Sequence, residues 1–97
     1  MLFRSSKDTL DGVVKFMNAN PSANVLVTGY TDDRGNDDYN AKLGARRATV
    51  VKNYLVSKGI TASRIQTATK GEADPAESNA TAEGRAKNRR AVAVEMR

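Results

Sequence analysis

Leu10, Val13, Val14 and Met17 recur at the three- and four-residue spacing of one helical face, and the run stops at Asn18-Ala-Asn-Pro21. Proline disfavours helix for its predecessor, so the pattern predicts a first helix that ends there. Val25 to Tyr30 is rich in β-branched and aromatic residues between a turn and a glycine-containing loop, which predicts a buried strand. A polar loop over 31–36 follows. Asn36 can then cap a second helix, Asp37 and Asp38 place negative charge in its first turn, and Gly59 ends it after Lys58. Ile65 to Thr69 predicts a short strand. Residues 71–84 read as a long loop with Pro75 and a helical turn after Thr81, and Arg90 to Met96 alternates as a final strand. The order is helix, strand, helix, strand, strand, with Met1-Leu-Phe-Arg-Ser-Ser-Lys offering two apolar residues toward a further short strand. Such alternation predicts an α/β (α+β) sandwich, a small mixed sheet with helices packed on one face.

Within the second helix, Leu43, Val50, Val51, Tyr54 and Leu55 share one side of the helical wheel, and Arg47 projects into that stripe. Arg46 projects to the wet side with Lys42, Thr49 and Asn53. A guanidinium taken out of water costs several kcal/mol unless an anion and good hydrogen bonds replace the solvent. Arg47 therefore needs an anion. Asp32 stands in Gly29-Tyr-Thr-Asp-Asp-Arg-Gly-Asn, in the loop that leads into this helix, so the two charges can share one pocket. In the last strand, alternation groups Val92, Val94 and Met96 and places Arg90 with them on the inner face while Arg89 turns outward. A structural bridge from Arg90 to Asp32, Asp33 or Glu95 is the alternative to a binding role.

Composition narrows the chemistry. Ninety-seven residues, 39% of them hydrophobic, suit one small domain spanning 1–97. No apolar run approaches the roughly 18 residues that span a bilayer, and no signal pattern or lipidation cysteine is present, so export or anchoring is expected from segments outside this chain. Without histidine or cysteine there is no imidazole base, Ser-His-Asp triad, thiolate zinc site or disulfide, which argues against an enzyme. The acidic loop fails as a calcium site: counted from Asp32, an EF-hand would have Arg34 at its second ligand position and Leu43 at the bidentate one. Gly29, Gly35 and Gly44 make no phosphate-cradling motif, and no cofactor is expected. The net charge of +5 favours anionic surroundings, and a basic nucleic-acid-binding domain is the alternative function. Five aromatics and no tryptophan argue against a base-stacking platform.

What remains is one carboxylate and one guanidinium near a strand-to-helix junction, with Asn40 and Gly44 on the stripe of Arg47. That pair suits a zwitterion. Aspartate can hold an ammonium group, the arginine fork can grip a carboxylate, and glycine lets a ligand approach the helix backbone. Direct pairing of Asp32 with Arg47 is the alternative.

At these residues the chain resembles the OmpA C-terminal-like domains, including the peptidoglycan-associated lipoproteins, over roughly Asn24 to Met96. The resemblance is carried by Gly29-Tyr-Thr-Asp-Asp-Arg-Gly, Tyr39-Asn-Ala-Lys-Leu-Gly-Ala-Arg-Arg-Ala, Lys52-Asn-Tyr-Leu with Lys58-Gly-Ile, and Asn88-Arg-Arg-Ala-Val. Leu43-Gly-Ala-Arg-Arg-Ala looks like the lipoprotein branch, and Ser78 to Arg90 looks like other OmpA-type lipoproteins and porin tails. The resemblance implies non-covalent binding of peptidoglycan through the diaminopimelate of its stem peptides, on the periplasmic face of the outer membrane. Asp32 would take the ammonium and Arg47 the carboxylate of the diaminopimelate end, with Thr31, Asn40, Leu43 and Arg90 as pocket wall and Asn88 structural. A cell-wall hydrolase using Asp32 and Asp33 is a further alternative. Relative to the family, the residues before Leu10 leave little room, so its first strand is expected to be short or missing. An open sheet edge of that kind invites a homodimer by strand pairing.

Overall fold

The computed structural model describes residues 2–4, 7–71 and 81–96. Its elements are β1 (Leu2–Arg4), α1 (Lys7–Ala19), β2 (Asn24–Tyr30), α2 (Asp37–Ser57), a 3₁₀ turn (Ala62–Arg64), β3 (Ile65–Gly71), α3 (Ala82–Asn88) and β4 (Arg90–Met96). They form a four-stranded sheet in the order β1-β4-β2-β3. β2 and β3 run parallel, as strands joined by a crossover helix must, and α2 is that helix. β4 lies antiparallel between β2 and β1, so the sheet is mixed. The first strand is present but short: its three residues pair only with Val92 to Val94.

The long central helix begins and ends as its terminal residues dictate. Asn36 has extended backbone and its side chain accepts the Tyr39 N–H at 2.7 Å, with Asp37 and Asp38 in the first turn. At the other end Gly59 takes a left-handed φ of 95°, Ile60 N–H reaches back to Leu55 O at 3.2 Å, and Gly59 N–H to Val56 O at 3.0 Å. This is a Schellman closure, sealed by the buried pair Leu55 and Ile60. α1 ends under Arg64, whose guanidinium donates to the carbonyls of Met17, Asn20 and Ala23 at 2.8 to 3.0 Å. Thr81 caps α3 by accepting the Gly84 N–H at 2.9 Å, where the sequence suggested a helical turn. Pro75 and the rest of 72–80 lie outside the described residues.

Val13 and Met17 of α1, Ala48, Val51 and Leu55 of α2, Val25 and Val27 of β2, Ile65 of β3 and Ala91 and Ala93 of β4 make one core on one face of the sheet. Two sequence expectations need correction here. The buried stripe of α2 is Asn40, Gly44, Ala48, Val51 and Leu55, and Val50 is 67% exposed. Leu43, Arg47 and Tyr54 flank the stripe instead of forming it. The face of β4 is also reversed, because Ala91 and Ala93 meet the helices while Val92, Val94 and Met96 lie on the far side with Leu26 and Thr28.

Both errors have one cause. α2 comes so close to the sheet that only small residues fit between them. A Cβ on Gly29 would lie 1.7 Å from Gly44 O, and one on Gly44 would lie 2.3 Å from Thr69 Oγ1. The contact selects glycine and alanine, which a hydrophobicity pattern undervalues. Gly44 thus serves helix-to-sheet packing, not the approach of a ligand to the helix.

Candidate ligand-binding site

Asp32 stands just past the end of β2, in the loop that carries the chain into α2. Only 4% of it is exposed, so its carboxylate must be satisfied from within the protein. Oδ1 accepts the Arg34 backbone N–H at 3.0 Å. Oδ2 accepts Nε and Nη2 of Arg34 at 3.1 and 2.8 Å, and Nη1 of Arg89 at 2.8 Å. Hydrogen bonds from Arg34, then from Arg89, hold its pKa well below the usual carboxylate range against the opposing effect of burial. The loop around it is fixed locally. Thr31 Oγ1 donates to Asp32 O at 2.9 Å, and Gly35 turns the chain with φ of 90°.

Arg47 does not pair with Asp32. It is half-buried on α2 and its Nη1 donates to Tyr30 O at 2.8 Å, the carbonyl at the end of β2. Burial, then the positive charge of Arg89, push its guanidinium below the ordinary arginine value, while Asp32 and Tyr39 act weakly the other way. A carbonyl answers one N–H of the fork and none of the charge, so the want of an anion read from the sequence persists.

Asp32, Arg34, Arg47 and Arg89 line one cleft of 360 Å³ with Gly35, Tyr39 and Leu43. A second, larger groove of 560 Å³ adjoins it and shares Leu43, Arg47 and Arg89. The structure therefore brings Asp32, Arg47 and Leu43 together as expected. Thr31 and Asn40 are buried beneath the loop and are not lining residues of the cleft. Asn40 is 1% exposed, and neither its Nδ2 nor its Oδ1 has a hydrogen-bond partner. Gly35 lies directly over it, since a Cβ there would be 3.4 Å from Asn40 Oδ1.

Both of the adjacent arginines Arg89 and Arg90 line the larger groove, and Arg89 alone also lines the cleft. Arg90 stacks over the Tyr30 ring at 3.8 Å from its centroid, on the cross-strand pair Tyr30 and Arg90, and its Nη1 donates to Asn88 O at 3.3 Å. Arg89 is the one that reaches Asp32. It was missed because strand alternation was carried one residue too far. Arg89 is the C-cap of α3, with φ of −77° and ψ of 88° that belong neither to the helix nor to regular strand, so strand parity does not apply to it. A buried aspartate at the end of β2 facing an Asn88-Arg-Arg junction was the available signal. Asn88 itself is fully buried, in keeping with a structural role.

The geometry thus offers an anionic point and a cationic fork in one cleft. Comparison with known proteins places the chain. The peptidoglycan-associated lipoprotein of Haemophilus influenzae is 47% identical over 83 residues, covering 86% of this chain and 54% of that protein. The peptidoglycan-binding protein ArfA of Mycobacterium tuberculosis is 42% identical over 93 residues, covering 96% of this chain and 28% of that protein. The chain spans about half the length of the first relative and less of the second. Among solved structures, the peptidoglycan-associated lipoprotein from Burkholderia pseudomallei superposes with a TM-score of 0.86 at 28% identity, covering 92% of this chain and 75% of that one. The OmpA family pattern matches residues 2–89, reaching back through α1 and β1 beyond the motifs that first suggested it, and the chain belongs to the OmpA family.

Proposed function

We propose that this chain, as a single domain over 1–97, binds peptidoglycan non-covalently through the zwitterionic end of diaminopimelate in the stem peptide. One observation carries the reading: a buried carboxylate and a partly desolvated guanidinium line one cleft without pairing with each other. Asp32 takes the ammonium group, which displaces the exposed Arg34 side chain from Oδ2. Arg47 takes the carboxylate through the donors that Tyr30 O leaves open. Leu43 meets the methylene chain, Thr31 and Asn40 hold the loop from below, and Arg90 braces the end of β2 through Tyr30. A lysine-type stem lacks the terminal carboxylate and leaves Arg47 unanswered.

The names of the relatives support this reading, since one is a peptidoglycan-associated lipoprotein and another a peptidoglycan-binding protein. The chain then works as a non-enzymatic anchor that ties an outer-membrane or periplasmic protein to the cell wall, on the periplasmic face of the outer membrane. Any membrane contact belongs to segments other than this one. The outer edge of β3, and the part of β4 beyond the three residues that pair with β1, are where a second copy adds by strand pairing, and sedimentation showing monomer at high concentration would count against that.

A sacculus pull-down tests the main proposal. Binding should survive moderate salt, be competed by free diaminopimelate and leave the wall intact. Asp32→Ala and Arg47→Ala should each weaken it by about 2 to 5 kcal/mol, the usual cost of truncating one partner of a buried charge pair. Preference for DNA with a steep salt slope would replace this reading with nucleic-acid binding, and release of soluble wall fragments would replace it with hydrolysis.

A further inference from the structure

The cleft and the groove beside it carry more positive charge than a zwitterion can answer. Among the described residues Arg34, Arg46, Arg47, Arg89 and Arg90 line the two, against Asp32 as the sole acidic lining residue, a surplus of four charges. A bound ammonium and carboxylate cancel each other and leave that surplus untouched. The groove is also differently made. Leu10 of α1, Val50 and Val51 of α2 and Ala91 of β4 give it an apolar floor, and among the described residues no acidic side chain lines it, Asp11 reaching only the hydroxyl of its lining residue Tyr54. Arg46 lines the groove and not the smaller cleft. Among the described residues its side chain has no ion pair or hydrogen-bond partner, and Val50 one turn along is 67% exposed. An exposed apolar side chain beside an unpaired guanidinium fits a ligand that is aliphatic and anionic together.

We infer that the groove is a second subsite, which takes a further carboxylate and its neighbouring aliphatic side chain from the same peptide whose zwitterionic end occupies the cleft. The inference rests on the proposed function and extends it to the substrate's length. Continuity of the two hollows through Leu43, Arg47 and Arg89 requires the second carboxylate to lie within a residue or so of the first. In a stem peptide that carboxylate is the free α-carboxylate of the γ-linked glutamate preceding diaminopimelate, and the aliphatic group is the methyl of the alanine before it. Arg46 and Arg89 grip the carboxylate, and Val50 and Ala91 meet the methyl.

Calorimetry on the intact chain with three probes tests this: free diaminopimelate, the tripeptide alanyl-γ-glutamyl-diaminopimelate, and that tripeptide with the glutamate α-carboxyl amidated. The acid tripeptide should bind about five- to tenfold more tightly than its amide, as expected for a charge-assisted hydrogen bond in a half-exposed site. Arg46→Ala should erase that difference while leaving free diaminopimelate unchanged, and Arg46→Lys should restore part of it. Equal affinity for acid and amide would overturn the subsite, as would an Arg46→Ala loss shared equally by all three probes. A fourth probe, N-acetylalanyl-γ-glutamate, lacks the zwitterionic end and separates this inference from its parent. Its amide-signal shifts should fall on Val50, Val51 and Ala91 even if diaminopimelate fails to bind, and their absence there at millimolar probe would sink the subsite on its own.

Discussion

Gly44→Ala is a substitution for which helix propensity and packing give opposite signs. In an exposed helix interior, replacing glycine by alanine stabilises by about 1 kcal/mol. Here the added Cβ would stand 2.3 Å from Thr69 Oγ1 and 2.8 Å from Gly29 O. Thr69 can rotate, but Gly29 O belongs to the middle of the sheet and cannot yield without moving β2. Relief to ordinary contact needs a shift of α2 by several tenths of an ångström, and overpacking of that kind costs about 1 to 3 kcal/mol. The net expectation is no gain and a loss of up to about 2 kcal/mol. Gly29→Ala should be worse, since its Cβ would lie 1.7 Å from Gly44 O and 2.5 Å from Gly44 C, both backbone atoms. Urea unfolding followed by circular dichroism reads both. The double variant should cost less than the sum of the singles, because either one alone already lifts the helix. A Gly44→Ala protein more stable than the parent by about 1 kcal/mol would show that propensity rules and that the close approach is not a constraint. The same lift separates Arg47 from Tyr30 O, so ligand affinity should fall along with stability.

Other expectations follow from single contacts. Asn36→Ala removes the acceptor for the Tyr39 N–H and should cost about 1 kcal/mol, measurable in the same urea assay, whereas Asn36→Asp should be nearly neutral. Asp32 has a folded-state pKa pushed below the ordinary 3.8, so its contribution is complete above that value and is lost as pH falls from there toward the depressed one. Asp32→Asn should therefore flatten the acid side of the stability profile below about pH 4 and leave its alkaline side unchanged, and a parallel drop at every pH would contradict the linkage. Arg34→Ala takes away the side chain that competes for Oδ2 while the backbone N–H at 3.0 Å stays, so diaminopimelate should bind as well as before or a few-fold more tightly. A loss as large as that of Asp32→Ala would mean Arg34 itself holds the ligand.

Much of the fold could be read directly. Asn36 and Gly59 mark the ends of α2 because each has a local backbone task, a cap and a left-handed turn, that few other residues perform. The β-branched run of β2 was equally plain. What sequence could not supply was depth of contact. Leu43, Val50 and Tyr54 look more buried than Gly44 and Ala48 until the sheet is seen to lie against the helix backbone. The same closeness turns Ala91 and Ala93 inward and Val92 and Val94 outward. Of the candidate site, Arg47 was visible as a charge out of place and Asp32 as the carboxylate in the loop before its helix. Their partners were not, since Arg34 reaches Asp32 by a local turn and Arg89 by the way α3 ends.

That Asp32 and Arg47 keep apart has a thermodynamic consequence. Had they formed a buried bridge, a zwitterion would have to open it, and separating such a pair costs about 3 to 5 kcal/mol before any ligand contact is made. Asp32 is held instead by Arg34, whose side chain is 65% exposed and can exchange its bond for one to water at little cost. The bond from Arg89, 35% exposed, stays in place and keeps the carboxylate ionised during that exchange. Arg47 is held by a single neutral carbonyl, which orients the fork without neutralising it. Arg34 is two residues from Asp32, so this pair is closed within the loop itself. On the proposed reading the two groups meet a zwitterion already ionised and without having to part from each other, because a local exposed bond from Arg34 yields while the long-range bond from Arg89 stays.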